Sequence, residues 1–168
     1  MSMISKTAHV FFAAIALAGM TTPAMANPIA SPGPGATVHL QGFMVIKLTQ
    51  PVQTQSICNI YMTGTVTSVG TATSSGVVTF TSGYVTHQSG VINCLDFSFV
   101  YPYVARTNTG TNLRVDRLEI VPPIGASCVK NNLDISYNAP SASFATQAFG
   151  TCLVSGSFQS MSNQLFIG

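Results

Sequence analysis

The sequence contains no tryptophan and few charged residues: Lys and Arg together number 6, and Asp and Glu number 4, among 168 residues. This scarcity of positive charge excludes the usual nucleic-acid binder, because neutralising phosphates requires clustered Lys and Arg. The one basic cluster, at residues 114–117, contains its own acidic residue. The lack of Trp also argues against an outer-membrane barrel, whose wall normally carries aromatic girdles at both interfaces.

Long apolar runs are lacking as well, apart from one near the N-terminus. Lys6 stands before an uncharged apolar run from Val10 to Met20, which leads to the small-x-small sequence Ala24-Met25-Ala26. This order predicts a secretory signal peptide over residues 1–26, too short to span a bilayer. We therefore expect a mature chain that begins at Asn27 and is secreted or extracellular, or retained in the periplasm or at the cell surface. We expect no transmembrane segment.

Patterns that carry catalysis or hold cofactors are sparse. The histidines of the mature part, His39 and His87, fall on a polar strand face and beside a turn signal, where both read as solvated groups. Asp116 and Glu119 are three apart, which places them on opposite faces of a strand. No nucleophile elbow, haem motif, iron-ligand cluster or dinucleotide loop occurs in the sequence. We expect a protein that is not an enzyme and has no cofactor or metal.

Four cysteines lie in the mature part: Cys58, Cys94, Cys128 and Cys152. An even count in an oxidising compartment predicts two disulfides, and the spacings are far wider than those of zinc-binding pairs. Three connectivities are open. We favour Cys58 with Cys94 and Cys128 with Cys152, because each bridge then closes a local strand unit.

The rest of the mature chain alternates between apolar and polar residues. Residues 27–35 hold three prolines and two glycines, which predicts a flexible leader. From Thr37 a period of two begins, with Val38, Leu40, Gly42, Met44, Ile46 and Leu48 on one face. Similar patterns predict strands at 57–67, 77–85, 92–104, 112–121, 133–137, 142–149, 152–158 and 164–167.

Eight or nine short strands without a helix indicate an all-β protein, either an antiparallel sandwich or a closed barrel. We predict a single antiparallel β-sandwich domain over residues 36–168. In the strand at 92–104, Leu95, Phe97 and Phe99 alternate with polar residues, as in a half-buried strand. Beyond them, Tyr101 and Tyr103 flank a proline that marks an edge or bulge. Core and rim packing is the usual role of such rings, and the alternative is that Tyr101 and Tyr103 are apolar contact residues for a lipid-like ligand or a neighbouring strand.

The layout of cysteine, glycine and strand residues permits a comparison with known families. It is carried by residues 121–128, 132–138, 141–144 and 150–158, together with 58–64 and the isolated Cys94. This arrangement resembles the secreted alkane-oxidation activator family of the PraB type. The resemblance implies an exported, non-enzymatic accessory protein that promotes growth on long-chain alkanes, through contact with a hydrocarbon, lipid-like or cell surface.

A second hypothesis is a subunit of a surface fibre or biofilm matrix. The strand from Val38 to Leu48 follows the predicted flexible leader and could add to the open sheet edge of a neighbour. The low surface charge favours such self-association, because little electrostatic repulsion opposes it. The two hypotheses differ in the expected solution behaviour, adsorption to oil in the first and long polymers in the second.

Overall fold

The computed structural model describes residues 29–72, 74–108, 111–161 and 165–167. The predicted signal peptide and its cleavage site lie outside these residues. The strands are β1 (Ile29–Ser31), β2 (Thr37–Leu48), β3 (Thr54–Ser68), β4 (Val77–Gly90), β5 (Ser98–Phe99), β6 (Tyr103–Thr107), β7 (Asn112–Val121), β8 (Cys128–Asn138), β9 (Ser141–Phe149), β10 (Cys152–Ser160) and β11 (Phe166–Ile167). One 3-10 turn, Cys94–Asp96, precedes β5. Within the described ranges, no helix is long and apolar enough to cross a membrane.

The main sheet closes on itself. Its strands follow the order β7-β6-β4-β3-β2-β10-β9-β8, and β8 pairs back with β7, so eight antiparallel strands form a barrel. The short β5 is an additional strand on β7, and β1 pairs separately with β11. The protein is all-β, but the predicted sandwich is wrong. Alternation along a strand shows which face is buried, and that face is the same in both architectures. The sheet closes because β2 pairs with β10, a strand about one hundred residues further along the chain.

The barrel interior is filled by side chains. On β2 the predicted apolar face points inward, and Val38, Leu40, Met44, Ile46 and Leu48 are buried. Inward residues of the other strands complete the core, including Ile60, Ile120, Leu133, Phe149 and Val154. A cavity of about 40 Å³ remains between them. Eight strands enclose a space just wide enough for side chains, so this filling is the usual outcome for a barrel of this size.

Glycines allow the wall to bend sharply. A Cβ built at Gly42 on β2 would lie 2.6 Å from the Cα of Phe158 on β10. At Gly156 on β10 it would lie 2.8 Å from the ring of Phe144. Neither approach is open to a residue with a side chain, so these glycines mark close contacts between backbones or between backbone and ring.

Two seams of the barrel are incompletely paired. β6 bonds only to residues 77–80 of β4, so residues 81–90 have β3 as their single strand neighbour. β8 bonds only to residues 141–143 of β9, so residues 144–149 have β10 alone. These seams open toward the same end of the barrel, where β2, β4, β7 and β9 end. We call this end of the barrel the disulfide end.

Both disulfides lie at this end and bridge the seams. Cys58 on β3 is joined to Cys94 in the 3-10 turn, and Cys128 on β8 is joined to Cys152 on β10, with Cα–Cα distances of 5.5 Å. This is the sequential pairing that the sequence favours. The second bridge links β8 and β10, the two strands on either side of β9. β8 itself forms hydrogen bonds only with the beginning of β9.

The strand predicted at 92–104 is interrupted. The side chain of Asn93 accepts the N–H of Leu95 at 3.0 Å and starts the 3-10 turn, so Leu95 faces solvent. Phe97 is buried, whereas Leu95 is not, and the predicted alternation is therefore wrong at its first residue. Pro102, which has no N–H for a ladder, separates β5 from β6.

The chain enters the fold earlier than the strand pattern indicates. Ile29–Ser31, inside the stretch predicted as a flexible leader, forms β1 and pairs with β11. The Ile29 side chain is buried, and its N–H donates to the carbonyl of Val69 at 2.7 Å. One apolar residue thus anchors this Pro-rich and Gly-rich segment beside the β3–β4 connection.

Candidate functional site

Four connections meet at the disulfide end: residues 49–53, 91–97, 122–127 and 150–151. Three of them contact one another directly. The N–H of Thr49 donates to the carbonyl of Thr151 at 3.2 Å, and a Cβ built at Gly125 would lie 3.1 Å from the carbonyl oxygen of Gln50. The pairing of Ser98 with Val121 places the end of 91–97 next to the start of 122–127, so the four connections adjoin one another.

This surface exposes four large aliphatic side chains. Val52 is 55% exposed, Val91 78%, Leu95 68% and Ile124 44%. We call these four residues the aliphatic rim. Asp96 is the one charged residue among the four connections. Scattered apolar side chains are normal on a protein surface, whereas several on neighbouring loops at one end are candidates for an interaction site.

The connection that carries Val91 and Leu95 is held in place by polar contacts to β3 and β4. The hydroxyl of Ser56 donates to the carbonyl of Ile92 at 2.8 Å, and the N–H of Ile92 donates to the same hydroxyl oxygen at 3.2 Å. The N–H of Cys94 donates to Nδ1 of His87 at 3.3 Å. Together with the bond from Cys94 to Cys58, these contacts present the two aliphatic residues on a fixed backbone.

The sequence matches the family described as "Alkane oxidation protein activator PraA/PraB-like" over residues 1–167. The chain belongs to this family. No curated protein and no solved structure matches the sequence. The family that the sequence resembled is thus confirmed, and its description as an activator fits an accessory protein of alkane oxidation.

In this member of the alkane-oxidation activator family, the candidate apolar contact residues Tyr101 and Tyr103 lie at the first seam of the barrel wall. Tyr103 is buried, and its hydroxyl donates to the carbonyl of Glu119 at 3.0 Å. Tyr101 is half-buried, with its ring centroid 4.6 Å from that of Tyr103. Burial raises the pKa of Tyr101 to about 12, and that of Tyr103 still further. The structure brings the two rings together, and the Tyr101 side chain lies against Gly83 of β4, beside the first seam.

The outer wall carries aromatic residues that the sequence analysis did not single out. The rings of Tyr61 on β3 and Tyr84 on β4 are stacked with centroids 4.5 Å apart, and Phe43 on β2 is exposed. Phe43 and Tyr61 occupy outward positions of strands with period two, so the alternation indicated their exposure. Tyr84 has the parity of the buried Val78 and Phe80, and it faces outward because the register of β4 shifts between Phe80 and Ser82. Grooves of about 330 Å³ and 270 Å³ adjoin Tyr61.

The charged side chains of β6, β7 and β8 neutralise one another. Ion pairs join Arg106 to Asp116 at 3.0 Å, Arg114 to Asp134 at 2.8 Å and Arg117 to Glu119 at 2.6 Å. The contact with Asp134 raises the pKa of Arg114. The basic cluster at 114–117 is thus a paired, solvated face of the sheet, and the described ranges hold no group of three His, Cys, Asp or Glu residues that could bind a metal.

Proposed function

We propose that the protein is an exported, non-enzymatic helper of alkane oxidation that touches hydrocarbon, or a hydrocarbon-coated cell surface, through the aliphatic rim. The observation that carries this proposal is the exposure of Val52, Val91, Leu95 and Ile124 at one end of the barrel. The two disulfides support export, because such bonds persist in oxidising compartments.

The barrel interior is an unsuitable place for a long-chain alkane. Its cavity of about 40 Å³ is far smaller than the roughly 300 to 1,000 Å³ of most small-molecule sites. Buried side chains from every strand of the barrel fill the remaining space. Binding inside would require displacing part of the core, at a cost of several kcal/mol per large side chain. Contact at the outer surface requires no such rearrangement.

The rim is large enough to hold the protein at an oil surface. Its exposed fractions add up to about two and a half fully exposed aliphatic side chains. Complete transfer of such a side chain from water gains roughly 1.5 to 3 kcal/mol. If half of the exposed rim enters the oil, the gain is about 2 to 4 kcal/mol, which raises adsorption at least tenfold. Little charge opposes the contact with oil, since Asp96 is the one charged residue of the four connections.

The test is adsorption of the purified, oxidised protein to a hexadecane–water interface. The rim variant replaces the four residues by polar ones of similar size: Val52→Thr, Val91→Thr, Leu95→Gln and Ile124→Thr. A matched control carries Val100→Thr and Met161→Gln, which remove exposed apolar side chains elsewhere. We expect adsorption of the rim variant to fall at least tenfold and that of the control to change less than twofold. A folded rim variant that adsorbs like the parent contradicts the proposal.

A second candidate function, assembly into fibres by strand addition, is favoured by the free edge of β4. Residues 81–90 have one strand neighbour, their side chains are mostly exposed, and none is Pro, Lys, Arg, Asp or Glu. Natural edge strands normally carry such residues to prevent pairing with other chains. The strand Val38–Leu48 lies within β2, between β3 and β10, so the open edge is not the one that the sequence suggests.

Fibre formation is tested by negative-stain microscopy of the purified protein and of a Thr86→Pro variant. If β4 is the assembly edge, the parent forms polymers and the variant does not, because Pro interrupts strand pairing along that edge. A Thr146→Pro variant changes the corresponding free segment of β9 and serves as the control. Monodisperse parent protein at millimolar concentration, or polymers that persist in Thr86→Pro, would rule out this edge.

A further inference from the structure

The larger groove on the outer wall crosses three neighbouring strands, β3, β2 and β10. It has a volume of about 330 Å³ and is lined by the side chains of Gln41, Phe43, Asn59, Tyr61, Ser157 and Gln159, with Gly42 and Phe158 between them. It lies on the side wall of the barrel and includes none of the aliphatic rim.

The register of the strands creates two rows of groups across this groove. Asn59 lies opposite Phe43, which lies opposite Ser157. In the next outward row, Tyr61, Gln41 and Gln159 follow one another across the same three strands. The two rows lie on either side of Gly42, where β2 approaches β10 too closely for a side chain. Amide and aromatic groups are therefore interleaved on one short stretch of wall.

The groove is polar but carries no charge. None of its lining residues is acidic or basic. The amides of Gln41 and Gln159 make no hydrogen bond within the described part of the chain, and the amide of Asn59 makes a long one, 3.4 Å to the hydroxyl of Thr86. An amide donates and accepts at once, as does a sugar hydroxyl. An anionic or cationic ligand would find no countercharge here.

The groove also carries exposed aromatic rings, which suit a sugar ligand in a second way. Phe43 is 45% exposed, and Tyr61 is held in place by the parallel ring of Tyr84, at an interplanar angle of 10°. Flat rings at the rim of a polar groove can pack against the C–H face of a sugar ring, which is apolar. The second groove, of about 270 Å³, begins on the other side of Tyr61 and reaches His39, Thr63 and Met161. Two adjoining grooves suit an extended chain.

From these features we propose that the wall groove binds a neutral polysaccharide chain, with Gln41, Asn59 and Gln159 bonding its hydroxyls and Phe43 and Tyr61 packing against its rings. A hydrocarbon is a poor occupant of the same groove, because it would cover the amides of the groove without giving them hydrogen bonds, and leaving polar groups unsatisfied is unfavourable. The protein would then have two separate contact surfaces, one for hydrocarbon at the disulfide end and one for glycan on the wall.

The test is an NMR titration of ¹⁵N-labelled mature protein with maltohexaose, cellohexaose and laminarihexaose, using an oligogalacturonate of the same length as the charged comparison. We expect saturable shifts of the side-chain amide signals of Gln41, Asn59 and Gln159 with at least one neutral hexasaccharide, and at least tenfold weaker binding of the oligogalacturonate. A Gln41→Ala, Gln159→Ala variant should lose at least tenfold in affinity. A Gln55→Ala, Gln88→Ala variant removes two exposed amides outside the groove and should bind like the parent.

The proposal is overturned if none of the three neutral hexasaccharides gives a saturable shift, if the oligogalacturonate binds as tightly as they do, or if the two amide variants lose affinity equally. Adsorption to hexadecane is measured on the same groove variant, and we expect it to stay within twofold of the parent. Failure of glycan binding therefore leaves the rim proposal unaffected, and failure of the rim variant leaves the groove unaffected.

Discussion

The two disulfides are expected to provide a large share of the stability of this barrel. In the loop-entropy treatment, closing the 24-residue separation of Cys128 and Cys152 contributes about 3.4 kcal/mol, and the 36-residue separation of Cys58 and Cys94 about 3.8 kcal/mol. Their sum, roughly 7 kcal/mol, compares with total stabilities of about 5 to 15 kcal/mol for single domains. The fully reduced protein should therefore be close to unfolding at 25 °C.

Urea denaturation of the oxidised protein, the reduced protein and each double-alanine variant checks this expectation. With a slope of about 2 kcal/mol per molar urea, loss of either bridge should lower the midpoint by about 1.5 to 2 M. Reduction keeps the sulfur atoms in the core, so the comparison of reduced protein with the variants separates the cross-link from the lost volume. A reduced protein whose midpoint lies within 0.5 M (about 1 kcal/mol) of the oxidised one would refute the reasoning.

The position of each bridge adds a local expectation. Without Cys128–Cys152, amide hydrogen exchange should accelerate at residues 128–133 and 144–149, which flank the second seam. The continuous pairing of β2 with β3 should stay protected, since twelve residue pairs join these strands without a break. Uniform acceleration over the whole barrel would show that the bridge acts only on the unfolded chain.

Three further predictions concern single residues. Tyr103→Phe should lower the free energy of unfolding in urea by about 1 kcal/mol, because it removes the hydrogen bond to the carbonyl of Glu119. Tyr137→Phe should be neutral or stabilising, because the buried Tyr137 hydroxyl has no partner among the described residues. Burial raises the pKa of both tyrosines, so as pH rises the unfolded chain releases these protons before the folded protein does. The stability, followed by thermal melts, should therefore fall as pH rises above about 10, and it should fall less steeply in Tyr137→Phe. Gly42→Ala should cost more than about 3 kcal/mol or prevent folding, because its Cβ would meet the Ser157 carbonyl, while Gly33→Ala, with open space around it, should stay within about 0.5 kcal/mol in the same measurement.

The sequence was most informative about the faces of strands. The inward set on β2 follows directly from the period of two, since only one of the two faces of the strand carries Val38, Met44 and Ile46 together. Closure of the sheet was less accessible, because it depends on pairing between strands that are distant in sequence. Gly42 was a missed signal: a glycine in the middle of an apolar strand face often marks a bend in the wall.

The candidate contact surfaces were harder to predict than the core. Leu95 belongs to an alternating apolar pattern and yet is exposed, because the Asn93 cap turns the backbone away from the extended conformation. For Tyr103 the sequence left core packing and apolar contact both open; it lies in the core, where its hydroxyl donates to the carbonyl of Glu119. Local sequence patterns describe extended strands well, but they do not show where a side-chain cap or a disulfide redirects the chain.

The pairing of β2 with β10 constrains the order in which this molecule can fold. Leu40, near the start of the described residues, lies opposite Ser160, near their end. The one strand that pairs with β1 in the described part of the chain is β11. Closing such a long loop is slow, and the barrel wall stays incomplete until the last strands are available. A chain that crosses a membrane in an extended form, N-terminus first, cannot complete this wall before its C-terminal strands have also crossed. In the export proposed above, the order of the strands would postpone folding until translocation is complete.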